Sequence, residues 1–365
     1  MPGTPPLIFG PAYLDRVVRV DRRLVDPEIS QTPLDGSVDG RWLEPGEGLT
    51  LLDPLGNRLI IELPSEWPGP SGTIGLSRPF ANPPGGWSRT VRTLAWQDDL
   101  GGMGAGYAAA MGGELISALG PEADPTSRKI AALLAKAGVN HHPIRLEGTT
   151  ADWTLLITSG AYGDKLPIGF RGCHSSLKSL DDMALRSSPL RVVASLPNRL
   201  AREALQGPST IRAFAPSLRN MLDRDPPISA FAEFIDVLGC NRGEWEQLED
   251  REQVAWQLSI LVVTDGPHGA TLRYTTPEGE ADRLEIPAFP RNHPPLDTNR
   301  AGEAFASTLL TTLIDRAWTP GSTEPTLARL ALDRASAAAA LVIGRLDFGF
   351  PTAKEIDEAI RVGAV

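Results

Sequence analysis

Cysteine is nearly missing from this chain: only Cys173 and Cys240 occur in 365 residues. They lie far apart and outside any C-x-x-C pattern, which argues against a disulfide scaffold and a thiolate metal site and leaves core or near-surface thiols. Histidine is also sparse. His141, His142, His174, His268 and His293 form no HExxH or similar helical pair, so zinc hydrolysis has little support. There is no basic excess either: 35 Lys and Arg face 45 Asp and Glu, a formal net charge of −10. No global field then attracts nucleic acid or anionic lipid, and any phosphate site must be local. No run approaches the roughly 18 apolar residues that span a bilayer, and the most apolar helix candidate, around Ala335 to Ile343, is short and Ala-rich. The opening MPGTPPLIFGPAYLDR has no basic segment before an apolar core and no small-residue cleavage site. These absences lead us to expect a cytoplasmic protein without nucleic-acid or membrane partners.

What is present is ordinary for a soluble globular chain, with 41% hydrophobic and 22% charged residues. The 33 prolines and 36 glycines fall mostly in the first third and in loops, where they mark turns. Leu7 to Gly10 reads as a short buried strand entering a loop that ends at Asp15, with a further extended piece at Val17 to Val20. From about Arg22 the chain is rich in Pro, Gly and turn pairs, with strand-like pieces at Leu49 to Leu52 and Leu59 to Leu63 around the turn DPLGN. This stretch reads as a β-rich insertion or lid over residues 22–96, leaving 1–21 and 97–365 for the main domain. Trp42, Trp67, Trp87 and Trp96 read as its packing residues.

After Gly101 the rhythm becomes α/β. Helices are expected at Gly104 to Leu119 and at Ser127 to Ala137, where Ile130, Leu133, Leu134 and Ala137 share one face. Strands are expected at Trp153 to Thr158, Leu190 to Ala194, Thr210 to Ala213 and Ile260 to Thr264. Two more follow at Thr271 to Thr275 and Leu284 to Ile286, then helices near Arg300 to Arg316, Pro325 to Ile343 and Thr352 to Arg361. Such alternation predicts a mostly parallel sheet with helices on both faces, and a ligand site beyond the carboxyl ends of its strands. GMGAG, Gly102 to Gly106, lacks the full G-x-G-x-x-G spacing and is not read as a dinucleotide fingerprint.

The nonapeptide DTNRAGEAF, Asp297 to Phe305, carries the most chemistry. Ala301 and Gly302 keep the backbone uncrowded at the first turn of a helix, where unpaired N–H groups and the dipole favour a phosphate. Glu303 stands one residue on, placed to accept a proton from a hydroxyl. The same residues also read as a plain helix start, with Thr298 or Asn299 as cap and Glu303 favouring the dipole.

The segment resembles the DTxGAGDxF signature of the PfkB, or ribokinase-like, family of carbohydrate and nucleoside kinases, and other segments match that family in the same order. FGPAYLD is similar to its first strand and loop, placing Asp15 as a substrate-binding aspartate. DLGGMGAGYAAAMG resembles GGxxxNxAxxxAxLG: Gly101 and Gly102 match the paired substrate-binding glycines, and Gly106 replaces the asparagine. FAPSLR looks like D-x-N-x-R, with Arg219 as a phosphate-facing guanidinium and Ala215 and Ser217 in place of the polar pair. DVLGCNRGEWEQL carries Asn241 and Glu244 in the spacing of the N-x-x-E motif that positions Mg²⁺ and phosphate through water. VVTDGPHGATL is similar to VTxGxxGxxL, which implies Thr264, Gly266 and Gly269, with Asn299, along the nucleotide; a hairpin needing glycine is the plain alternative.

The resemblance implies a three-layer αβα sandwich with a mostly parallel central sheet and a small β-rich lid. It further implies an ATP- and Mg²⁺-dependent kinase acting on a hydroxymethyl group of a sugar or nucleoside-like substrate, and a homodimer through the lid. Glu303 would be the base and Arg300, Ala301 and Gly302 the anion hole. Two changes mark the signature: Glu303 replaces the catalytic aspartate and Arg300 replaces a glycine. The Arg300 side chain has three open readings, filling the phosphate pocket, supplying charge to the transferring group, or pointing outward. A second functional reading is a catalytically inactive relative that senses a sugar, a nucleotide or a protein partner.

Overall fold

Three consecutive residues, Leu7, Ile8 and Phe9, set the layering of the molecule. Side chains alternate across a strand, so Ile8 joins a core on one face of the central sheet while Leu7 and Phe9 join another on the opposite face. The computed structural model describes residues 4–21, 38–41, 48–52, 58–62, 74–76, 88–158, 165–345 and 348–365. The turn expected at 53–57, with Trp42, Trp67 and Trp87, lies outside them, as does the side chain of Trp96.

In chain order the first strands are β1 (Leu7–Phe9), β2 (Tyr13–Val20), β3 (Val38–Arg41), β4 (Gly48–Leu52), β5 (Arg58–Glu62), β6 (Ile74–Leu76) and β7 (Ser88–Gly101). There follow α1 (Met103–Met111), β8 (Glu114–Leu119), α2 (Pro125–Lys136), β9 (Asn140–Arg145), β10 (Trp153–Thr158) and β11 (Lys165–Phe170). The middle of the chain holds α3 (Cys173–Ser176), β12 (Ser188–Ala194), α4 (Asn198–Leu205), β13 (Ser209–Ala215), α5 (Leu218–Leu222) and β14 (Val237–Asn241). Next come α6 (Arg242–Glu246), α7 (Arg251–Gln257), β15 (Ile260–Thr264), β16 (Ala270–Thr275) and β17 (Ala281–Ile286). Three helices close the chain: α8 (Ala301–Asp315), α9 (Pro325–Val342) and α10 (Ala353–Val362).

The central sheet runs β17-β16-β15-β14-β13-β12-β1-β8-β9. Every pair from β15 to β9 is parallel, and β16 and β17 extend the sheet antiparallel. Side chains of α1, α2, α8 and α9, such as Ala105, Ile130, Leu309 and Leu332, cover one face; those of α4 and α7, such as Leu200 and Val254, cover the other. The expected αβα sandwich is therefore observed.

A second sheet, β11-β10-β2-β7-β5-β4, stands beside it, and β3 pairs with β6 separately. Its strands come from scattered stretches, since β2, β10 and β11 fall outside residues 22–96. Trp153–Thr158, expected in the central sheet, belongs here and pairs with β2. Asp15 likewise sits within a strand rather than at the end of a loop. In β2 burial alternates strictly: Leu14, Val18 and Val20 face the core, and Asp15, Val17 and Arg19 face a cleft. The helix expected to reach Leu119 ends at Met111, because Gly112 at φ 60° closes it and the apolar run 115–119 becomes a buried strand.

Candidate active site

The loops after β1, β12, β13, β14 and β15 open toward one cleft, as the topology of a parallel α/β sheet requires. Three cavities meet there. The first, ≈ 270 Å³, is bounded by Asp15, Val17 and Arg19 of β2, by Asp99 to Gly102, and by the 295–300 loop. The second, ≈ 460 Å³, shares Asp15 and Gly102 and adds Tyr13, Arg171, Ser195 and Arg219. The third, ≈ 220 Å³, holds Asn241, Glu244, Thr264, Gly302 and Tyr107. Glu303 lines all three.

Helix α8 begins at Ala301, and no side chain caps it. Its leading amides therefore face the cleft with the positive end of the dipole, a ready anion site. A β-carbon at Gly302 would meet nothing within 4 Å, so the backbone there is approachable. The residue before the helix, Arg300, is left-handed at φ 67° and ψ 0°, a conformation that suits glycine and strains arginine.

The Arg300 side chain lines the first cavity and not the third. Its guanidinium reaches β7, where Nη1 donates to Asp99 Oδ2 at 3.1 Å, and Nη2 donates to Asp297 Oδ2 at 3.4 Å. The guanidinium carbon also lies 5.5 Å from the centre of the Phe348 ring. Only 10% of this side chain is exposed, against 18% for Asp99. The need for the cation is local: Asp15 and Asp99 are paired residues of β2 and β7, and like charges directly opposite one another destabilise a sheet. The arrangement is none of the three readings of Arg300: the side chain turns inward and joins Asp99 of β7 to Asp297 of the preceding loop.

Asp15 rests against Gly101, where any β-carbon would overlap its carboxylate. Gly102 heads α1 at φ 94°, a conformation that, with Pro11 alongside, only glycine adopts there without strain. Gly106, inside α1, lies beneath the side chain of Glu303.

Asn241 and Glu244 form a capping box on α6: the Glu244 amide donates to Asn241 Oδ1 at 2.8 Å, and the Asn241 amide donates to Glu244 Oε2 at 3.0 Å. Burial, opposed by these hydrogen bonds and reinforced by the charge of Glu303, raises the Glu244 carboxyl above its usual range. Two carboxylates, Glu244 and Glu303, beside the Asn241 and Thr264 oxygens in one cavity suit a hard divalent cation. No group of three or more His, Cys, Asp or Glu gathers for a metal among the described residues, and magnesium, which keeps waters and needs only one or two carboxylates beside phosphate oxygens, fits that donor set. The same burial, with Glu303 and Glu244 nearby, pushes the Tyr107 hydroxyl far up, so it stays a neutral donor.

The remaining sequence candidates separate. Thr264 joins the third cavity. Gly266 at φ 51° and Gly269 at φ 98° shape the turn between β15 and β16, closed where Asp265 N–H donates to the Gly269 carbonyl at 2.8 Å. Asn299 and Arg219 lie instead in the cavity that holds Asp15. Arg219 shares that cavity with Arg171, which is held by the Trp153 carbonyl and the Thr154 hydroxyl and whose guanidinium carbon lies 3.9 Å from the Tyr13 ring centre. Sequence reasoning missed Arg171, Tyr13, Asp99 and Tyr107. Asp99 carried a signal, two residues ahead of the paired glycines; Arg171 follows β11 with no motif to mark it.

An anion-binding helix start, a carboxylate at its first turn, and cavities on either side define a phosphoryl-transfer class of α/β protein. The chain belongs to the pfkB family of carbohydrate kinases, whose model matches residues 89–354. No curated protein matches its sequence. In fold it is similar to ribokinase from Giardia lamblia, with a TM-score of 0.64, 15% identity, and 98% of this chain and 99% of that one covered. It is similar to Cryptococcus neoformans ribokinase in complex with ADP, at a TM-score of 0.59, 16% identity and coverage of 98% and 99%. It is also similar to a Burkholderia thailandensis nucleoside kinase in complex with inosine, at 0.60, 17% identity, and 98% of each chain. No helix among the described residues is long and apolar enough to cross a membrane.

Proposed function

We propose that the chain is an ATP- and Mg²⁺-dependent kinase that phosphorylates a hydroxymethyl group of a sugar or nucleoside-like substrate. The observation that carries this reading is Glu303, placed where the three cavities meet and in the same first turn as the uncapped amides of α8. In this assignment Asp15, Gly101 and Gly102 hold the acceptor in the first two cavities, while Glu303 takes the proton from its hydroxyl. The Ala301 and Gly302 amides neutralise charge on the oxygens in transfer, where preorganised donors contribute most. Thr264 and Gly266 flank the phosphates of the nucleotide, and Asn241 and Glu244 would hold Mg²⁺ through water. The triphosphate supplies the phosphoryl group, and the metal screens its charge.

Neighbours of the same fold bound to ADP and inosine support a nucleotide on one side of Glu303 and a hydroxylated acceptor on the other. The sensing alternative rests on Gly106, Ala215, Arg300 and Glu303, all departures from the family signature; of these, Arg300 lines the cavity of Asp15 and Asp99 and not the one that holds Asn241 and Glu244. Strands β4 and β11 end the second sheet, and their edges are where a homodimer through the lid would form. Phosphate transfer from ATP to a panel of sugars and nucleosides tests the assignment. The wild type should transfer to at least one acceptor and Glu303→Gln should transfer to it far more slowly; a fully active Glu303→Gln variant removes Glu303 from the mechanism.

A further inference from the structure

Gly106 and Glu303 are both positions where the chain departs from the family signature, and in space they touch. A β-carbon built on Gly106 would lie 3.0 Å from Glu303 Cγ, 3.3 Å from its Cβ and 3.6 Å from its Cδ. Those three atoms are its nearest neighbours, so the glutamate runs along the bare face of α1 over most of its length. Gly106 has no turn geometry of its own to serve: it lies in the interior of α1, a place where glycine is ordinarily unfavourable.

We infer that Gly106 is a positioning residue for the Glu303 carboxylate, and that the two departures form one coupled change. The glycine opens a track on α1, and the longer acid lies in it to bring its carboxylate to the meeting point of the cavities. Any side chain at 106 closes the track. Glu303 then adopts another rotamer, and a displacement of about 1 Å in a reacting group costs on the order of a hundredfold in rate. The inference rests on the kinase reading for its catalytic consequence, but the contact itself is open to a test that needs no turnover.

Four proteins make the test: wild type, Gly106→Ala, Glu303→Ala and the double variant. Thermal unfolding comes first. Alanine in a helix interior normally stabilises relative to glycine, so Gly106→Ala should raise the melting temperature in the Glu303→Ala background, where only the approach to Cβ remains. In the Glu303 background that gain should be smaller by about 3 °C or more. Turnover comes second: Gly106→Ala should lower kcat at least about tenfold while KM for ATP stays within about twofold, the signature of a misplaced base rather than a damaged nucleotide site. Equal melting shifts in both backgrounds overturn the coupling, and an unchanged kcat overturns the positioning role. If the wild type transfers phosphate to nothing on the panel while the melting shifts remain unequal, the kinase reading fails and the coupled contact stands.

Discussion

The two walls of the cleft are built differently. The wall assigned to the nucleotide is largely main chain: the α8 amides stand beside the β15–β16 turn and the capping box of α6, which follow the adjacent strands β15 and β14. The wall assigned to the acceptor is made of charged side chains from two strands of the second sheet and the segments around them, with Asp15, Asp99, Arg19 and Arg171 set against Arg219, Asp297 and Arg300. Main-chain sites tolerate sequence change, because amides and dipoles persist whatever the side chains are; side-chain sites record each substitution. Arg300 fits that division: it alters the acceptor side and leaves the helix start open.

The largest effect expected from breaking this arrangement is at the residue both walls share. Glu303→Gln should lower kcat by about 10²–10⁴-fold, the usual contribution of a positioned base, with melting temperature nearly unchanged. Steady-state kinetics beside a thermal melt decide it.

Next is the acceptor wall. Arg300→Ala leaves Asp99 and Asp15 facing one another without the guanidinium and should cost on the order of 2 kcal/mol by denaturant unfolding, since breaking a mostly buried pair strands its partner. Arg300→Gly loses the same pair but releases the left-handed strain, so it should be about 1 kcal/mol more stable than Arg300→Ala. Both should raise KM for the acceptor more than KM for ATP.

On the nucleotide wall, Glu244→Gln should raise the Mg²⁺ concentration needed for half-maximal rate by about tenfold, because outer partners of a metal tune affinity on that scale. Its capping hydrogen bond to the Asn241 amide survives, since the amide oxygen still accepts.

The smallest effect concerns neither wall directly. His174, whose Nε2–H donates to the Ser195 carbonyl behind the acceptor cavity, is lowered to about 4 by burial, and burial lowers His141 to about 4 as well. Each binds its proton less readily folded than unfolded, so each contribution to stability is complete above about pH 6.5 and lost as pH falls toward 4. Asp152, raised to about 6 mainly by burial, opposes part of this loss because its folded form gains a proton over the same interval. Melting temperature should therefore decline only modestly from pH 6.5 to 4, and His174→Gln should reduce the decline.

The same division explains what the sequence disclosed. Six of the nine central strands, β1, β12, β13, β15, β16 and β17, and the last three helices were legible, because buried strands are short apolar runs and the helices carry 3.6-residue periodicity; β8 lay within an expected helix, and no strand was expected at β9 or β14. The nucleotide wall was legible too, since motifs such as Asn241 to Glu244 are local in the chain. The acceptor wall was not. Trp153–Thr158 has the same apolar character as a central strand, and only its pairing with β2 assigns it to the second sheet. Asp99 meets Arg300 across 201 positions, a distance no local pattern spans. The expected helix overran Met111, where Gly112 is a left-handed stop and the apolar run after it is a strand.

The placement of β2 has a consequence for synthesis of the chain. This strand leaves the ribosome well before both its neighbours, β7 and β10. Until Thr158 has emerged, one edge of β2 is unpaired, and long-range pairing of this kind is slow and exposed to aggregation. A nascent polypeptide stalled before that point, or a fragment truncated there, should be the species that chaperones retain.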